Sequence, residues 1–265
     1  MHLKIFIRKL KTLFKNPGKA IPKIKQEIPY FWAEICSTLR SSKIPVVSKP
    51  KNLSKFNEKI VKIINQRVTQ EELLEKCALS PIYDRIYDQT QHRKRLLEVA
   101  DFCSRNHEGD LLEIGCFRGD TTVGLAEIAK KYNRKVIGVD PWPGKWQGHG
   151  SESDFQKFLE NIEGYKDQVQ VIRLSSLSKE AKQIIKSRKL CFAYIDGLHT
   201  YSACLSDIKT VSHVKGVIAV DDIFHVAELL LAFEKGAYLT QRIPFHNKFC
   251  REGYLLKNNK VDEKI

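Results

Sequence analysis

Apolar residues along this chain change their spacing near position 108. Before it the spacing is helical. Leu3, Phe6, Ile7, Leu10, Leu13 and Phe14 fall on one stripe over residues 1–15, with Lys4, Arg8, Lys11 and Lys15 largely off it. That pattern predicts a basic amphipathic helix. Pro17-Gly18 ends it, and Pro22, Pro29, Pro45 and Pro50 punctuate the stretch up to residue 50. Residues 52–78 read as one or two helices with Phe56, Ile60, Ile63 and Ile64 on a stripe. After a break at Ser80-Pro81, residues 82–106 form another, carrying Tyr83, Tyr87, Leu96, Leu97, Ala100 and Phe102. Beyond it, short apolar runs at 110–114, 135–139, 169–174, 191–195 and 216–220 predict strands. Helical stretches lie between them at about 120–132, 153–164, 178–188 and 201–213. Regular β–α alternation predicts a parallel sheet covered by helices. The tail reads as a helix near 225–235, then Tyr238–Pro244 and Gly253–Lys257 paired antiparallel at one sheet edge. No internal repeat or low-complexity segment is present.

The expected organisation is a basic arm (1–50), a helical extension (51–107), an α/β domain (108–258) and a short tail (259–265). Charge sharpens the first boundary. The net charge is +14, yet residues 1–50 hold eleven Lys/Arg against two acids, a net +9 that leaves +5 for the other 215 residues. The basic character thus belongs to the arm. Residues 1–25 fit an interfacial anchor on an anionic membrane surface, or a helix packed on its own domain or on a second subunit of a homo-oligomer. No DNA- or RNA-binding motif accompanies the arm, which argues against a nucleic-acid partner. The seven cysteines, at 36, 77, 103, 116, 191, 204 and 250, include no C-x-x-C pair. They read as reduced thiols of a cytoplasmic protein. No apolar run reaches the ~18 residues of a membrane span, and no apolar core of a secretory signal follows the N-terminal charges. The expected location is cytoplasmic, with peripheral attachment to the inner face of the membrane if the arm binds lipid.

Candidate chemistry gathers at predicted strand ends, where ligands of such sheets collect. The segment Leu111–Asp120, LLEIGCFRGD, runs from strand into Glu113-x-Gly115-x-x-x-Gly119. Gly115 suits a sharp turn with close approach to a ligand. Asp140, ending the next strand, suits ribose hydroxyls. A third glycine is missing from the dinucleotide fingerprint, since position 117 is Phe and position 120 is Asp. The fourth strand ends Asp196-Gly197-Leu198-His199 and the fifth Asp221-Asp222. Three carboxylates meeting at one edge repel unless something cationic sits among them. A hard divalent ion, Mg²⁺ or Mn²⁺, suits an all-oxygen set.

The order E-x-G-x-x-x-G, strand-Asp-Pro-Trp, I-D-G-x-H-x-Y and V-x-D-D resembles the class I S-adenosylmethionine-dependent methyltransferases. It is most similar to the macrocin-type sugar O-methyltransferase subgroup. The resemblance covers roughly residues 82–257. It implies a Rossmann-like, doubly wound, mostly parallel sheet with an α-helical N-terminal extension. It also implies S-adenosylmethionine bound by Glu113, Gly115, Gly119 and Asp140, a metal held by Asp196, Asp221 and Asp222, and His199 as base. The third strand ends Leu174-Ser175-Ser176 without the acid often found there, which leaves Ser175 or Ser176 to meet the adenine. The implied reaction is Mg²⁺-assisted O-methylation of a sugar or polyol in glycan or natural-product biosynthesis. The acceptor is a small molecule or glycan. Two alternatives stand beside it: metal-independent transfer to a small phenol or lipid, and a non-catalytic scaffold of the same fold tethered to a membrane.

Each residue also has a plainer reading. Asp196 before Gly197 suits a tight turn, Asp222 suits a helix cap, and His199 suits a structural hydrogen bond. His149 and His225 are weaker candidates for the base. Trp142, Trp146 and the loop 143–150 suit either a cover over cofactor or sugar ring or a plain surface loop. Tyr83 and Tyr87 suit the acceptor pocket or the core.

Overall fold

The computed structural model describes residues 53–66, 83–142, 150–224, 226–246 and 251–258. The arm at 1–50 and the stretch 67–82 lie outside them. Helix α1 (Lys55–Ile64) begins where Ser54 accepts the Asn57 amide, and it buries Ile60, Ile63 and Ile64. Helix α2 (Tyr83–Asn106) comes next, close to the predicted span. The alternating region is β1 (Asp110–Ile114), α3 (Asp120–Lys131), β2 (Val136–Val139), α4 (Glu152–Asn161), β3 (Val169–Ile172), α5 (Lys179–Lys186), β4 (Leu190–Ile195), α6 (Tyr201–Thr210) and β5 (Val217–Val220). Then come α7 (Ala227–Leu239), β6 (Ile243–His246) and β7 (Gly253–Leu256).

The seven strands form one sheet in the order β3-β2-β1-β4-β5-β7-β6. The first five are parallel; β7 runs antiparallel to both neighbours. The predicted edge hairpin is therefore present, with one correction. Tyr238 and Leu239 finish α7, and the strand starts at Ile243 after Gln241 takes a left-handed turn at φ 53°. Tyr238 is 76% exposed, so its apolar reading came from a helix end facing solvent.

Strand periodicity divides the core in two. Leu111, Val136, Cys191, Val217 and Tyr254 face α1, α2 and α3, where Ile60, Leu96, Val99 and Leu125 pack. Leu112, Ile137, Ala193, Ile218 and Leu255 face the other way, onto Ile185, Ile208 and Phe233 of α5, α6 and α7. Both faces are covered, as a parallel sheet requires. Winding reverses between β1 and β4, and in open sheets of this kind ligands collect at the carboxyl ends of the strands at such a switch. Asp196 donates its amide to Ile114 O at 2.8 Å there. Gly115 sits beside that contact at φ +90°, where a Cβ would lie 2.0 Å from the Asp196 carbonyl oxygen. Glycine is demanded by the neighbouring strand itself, before any ligand is considered.

Candidate functional site

Two groups of side chains lie around these strand ends. The first surrounds the turn after β1. Asp140, just past β2, accepts the Cys116 and Phe117 amides on Oδ2 at 3.0 Å each, and the Trp142 amide on Oδ1 at 2.7 Å. One carboxylate thus fixes two loops. Trp142 completes the clamp by donating Nε1–H to Phe117 O at 2.6 Å. Phe117 and Trp142 both sit at φ 47°, an uncommon conformation for large side chains that these bonds hold in place. Trp142 is fully buried, with Phe155 and Phe158 at 4.8 and 4.7 Å. Neither of its sequence readings survives: it is a core residue and does not cover a ligand. Residues 143–149, with Trp146 and His149, lie outside the described residues, as does His225. The side chains of Tyr83 and Tyr87 are likewise outside the description.

Glu113 lies beneath the turn, 1% exposed, and takes a hydrogen bond from Thr122 Oγ1 of α3. Burial pushes its carboxyl up to about 8, against the opposing pull of the Thr122 hydroxyl. It ties β1 to α3. Gly119 precedes α3 at φ +85°, and a Cβ there would lie 2.9 Å from the Phe158 ring. Past β3, Ser175 Oγ accepts the Leu177 amide at 3.3 Å. Ser176 lies near Asp207, a fully buried carboxylate of α6. Burial raises Asp207 to about 6, and the Ser176 hydroxyl and Lys182 charge only partly oppose this.

The second group lies past β4 and β5. His199 Nε2 stands 3.3 Å from Asp196 Oδ1 and 3.9 Å from Asp222 Oδ2. Its pKa is raised, first by the hydrogen bond to Asp196 and further by the surrounding acids, although burial opposes it. Asp196 is itself pushed up, chiefly by burial. Asp222 sits at φ 53°. Asp221 is 1% exposed. The predicted acidic cluster is therefore assembled.

Sequence reasoning missed the residue at its centre. Arg251 donates Nε–H to Asp221 Oδ1 at 3.0 Å and Nη2–H to Asp221 Oδ2 at 2.6 Å. The same Nη2 lies 3.0 Å from Asp222 Oδ1. The guanidinium supplies positive charge to two of the three acids, Asp221 and Asp222. Among the described residues no group of three or more His, Cys, Asp and Glu side chains is arranged to hold a metal ion. The expected Mg²⁺ or Mn²⁺ ligands Asp221 and Asp222 face an arginine, and in this arrangement the set does not fit a divalent ion.

A sequence profile described as "Methyltransferase domain" matches residues 112–223. The chain carries a methyltransferase domain of the class I fold. No curated protein sequence matches it. Among solved structures, CalS11, a TDP-rhamnose 3'-O-methyltransferase of calicheamicin biosynthesis, aligns with TM-score 0.52 and 13% identity. The alignment covers 81% of this chain and all of CalS11. The O-methyltransferase NovP aligns with TM-score 0.50 and 16% identity, over 77% of this chain and all of NovP. Identities this low speak for the fold. In this sheet the Asp140 clamp follows β2 and His199 with Asp196 follows β4, the two strands that flank β1. No helix among the described residues is long and apolar enough to cross a membrane.

Proposed function

We propose that this domain transfers a methyl group from S-adenosylmethionine to a hydroxyl of a sugar or polyol, with His199 as the base. The observation that carries the reading is the position of His199, 3.3 Å from Asp196 at the strand end next to the Gly115 turn. The O-methyltransferase activity of the two structural neighbours supports the choice of a hydroxyl acceptor, and the rhamnose substrate of CalS11 supports a sugar.

When bound, the cofactor would supply an electrophilic methyl on a sulfonium, which departs as a neutral thioether. The turn at Gly115 and the carboxylate of Asp140 are the groups that would hold its nucleoside end. His199 would take the hydroxyl proton as the oxygen attacks, and Asp196 would hold the imidazole in line and stabilise its charged form. Proximity contributes most to such a displacement, so orientation of the acceptor beside His199 dominates the rate. Magnesium assistance forms no part of this proposal, because Arg251 is paired with Asp221 and Asp222 where the ion would need them.

The test uses the full chain. Titration calorimetry with S-adenosylmethionine should show binding. Labelled methyl transfer should then appear with nucleotide sugars or glycosides and not with simple phenols. Absence of cofactor binding would overturn the methyltransferase reading. Transfer to phenols alone would overturn the acceptor class.

A further inference from the structure

We infer that Arg251 is the resident cation of the acidic site, standing where a divalent ion would otherwise sit and keeping the site metal-free. The inference concerns the same site as the proposed function and rests on it for the role of His199.

Strand pairing brings Arg251 there. Val220 of β5 lies opposite Gly253 of β7, so continuing the antiparallel register sets Asp222 opposite Arg251. The Ile223 amide donates to Arg251 O at 3.0 Å and closes that end of the ladder. The next residue, Glu252, is fully buried and accepts Arg95 Nε–H and the Tyr254 hydroxyl, each at 2.7 Å. The backbone that carries Arg251 is thus held from the opposite side, and its side chain meets the acids from a fixed root.

The fork of a guanidinium matches a carboxylate in two parallel bonds, which a compact ammonium does not do. Both oxygens of Asp221 face that fork, and one nitrogen reaches Asp222 as well. A hard dication needs these oxygens turned toward itself. It would also lie within a few ångström of a fixed positive charge, where repulsion at partly buried sites is strong. Arginine and metal are therefore mutually exclusive occupants. Arg251 acts as a positioning residue: it fixes Asp221 and Asp222, whose charges surround His199.

Mn²⁺ binding, read by electron paramagnetic resonance, tests this without any acceptor. The intact chain should bind no Mn²⁺ at about millimolar concentration, the weak end of oxygen-ligand sites. Arg251→Gln should gain a site at least about tenfold tighter, a change of one charged contact. Arg251→Lys should stay as silent as the parent. Mn²⁺ binding by the parent, or no gain in Arg251→Gln, overturns the inference. If Arg251→Gln loses its cooperative melt, Arg251→Met serves in its place. Calorimetry with S-adenosylmethionine on the same samples reports separately on the proposed function, since cofactor binding does not depend on the Mn²⁺ outcome.

Discussion

Arg95 of α2 and Glu252 at the start of β7 form an ion pair of 2.7 Å with side chains 3% and 0% exposed. The pair joins the helical extension to the antiparallel edge of the sheet, and the Tyr254 hydroxyl shares the same Glu252 oxygen. Removing one member leaves the other charged and buried. Glu252→Gln should therefore cost about 3–5 kcal/mol, measured by chemical denaturation. Replacing both, as Arg95→Met with Glu252→Leu, should recover much of that loss. Equal destabilisation by the single and double variants would show that the pair is not the source.

Gly115→Ala should fail. The new Cβ would lie 2.0 Å from a backbone oxygen at φ +90°, and no flexible side chain is there to move aside. A loss of about 3 kcal/mol or more is expected, together with loss of cofactor binding. A variant with unchanged melting temperature would mean that the β1 and β4 ends are not in this contact.

Asp207 gives a pH signature. Burial raises its pKa from 3.8 to about 6, so the folded chain holds the proton more tightly than the unfolded one. Its contribution to stability is fully present below the ordinary value and is lost as pH rises through about 6. Asp207→Asn should flatten that decline and stabilise the protein at pH 7 by about 1–3 kcal/mol. Denaturation curves at pH 4 and pH 7 decide it. A larger gain at pH 4 than at pH 7 contradicts the sign.

His199, as the proposed base, should set the other pH limb. A base must be neutral to accept a proton, and Asp196 keeps this imidazole charged to higher pH than usual. The rate should fall as pH drops through a value above 6.5, the ordinary value of histidine. Asp196→Asn should move that limb to lower pH. His199→Gln should reduce kcat about 10²–10⁴-fold with cofactor affinity unchanged. An unshifted limb in Asp196→Asn would remove His199 from the role.

Much of this arrangement is legible from spacing alone. The parallel strands are short apolar runs, and the acids at their ends stand out because strand ends end the run. Asp196, His199, Asp221 and Asp222 come together for that reason. Arg251 does not stand out. It lies thirty positions beyond Asp221 and meets it only through the register of two antiparallel strands, which no local pattern encodes. The unbalanced charge was visible, and its neutraliser was not. Trp142 misleads for a different reason. It follows a proline and precedes a Gly-rich stretch, as a loop aromatic would, yet its burial depends on Phe155 and Phe158 across α4. Glu113 and Gly119 occupy expected places, but their contacts in the fold are with Thr122 and Phe158.

The Asp140 clamp has a consequence for selectivity. A carboxylate offers about four acceptor sites, and three are filled by the Cys116, Phe117 and Trp142 amides. With Asp140 as the proposed partner of the cofactor's ribose, the remaining site, on Oδ1, would receive one of its hydroxyls and not the pair. Cofactor analogues lacking the 2'- or the 3'-hydroxyl should then differ in affinity from one another: one deletion weakens binding, and the other passes almost unnoticed.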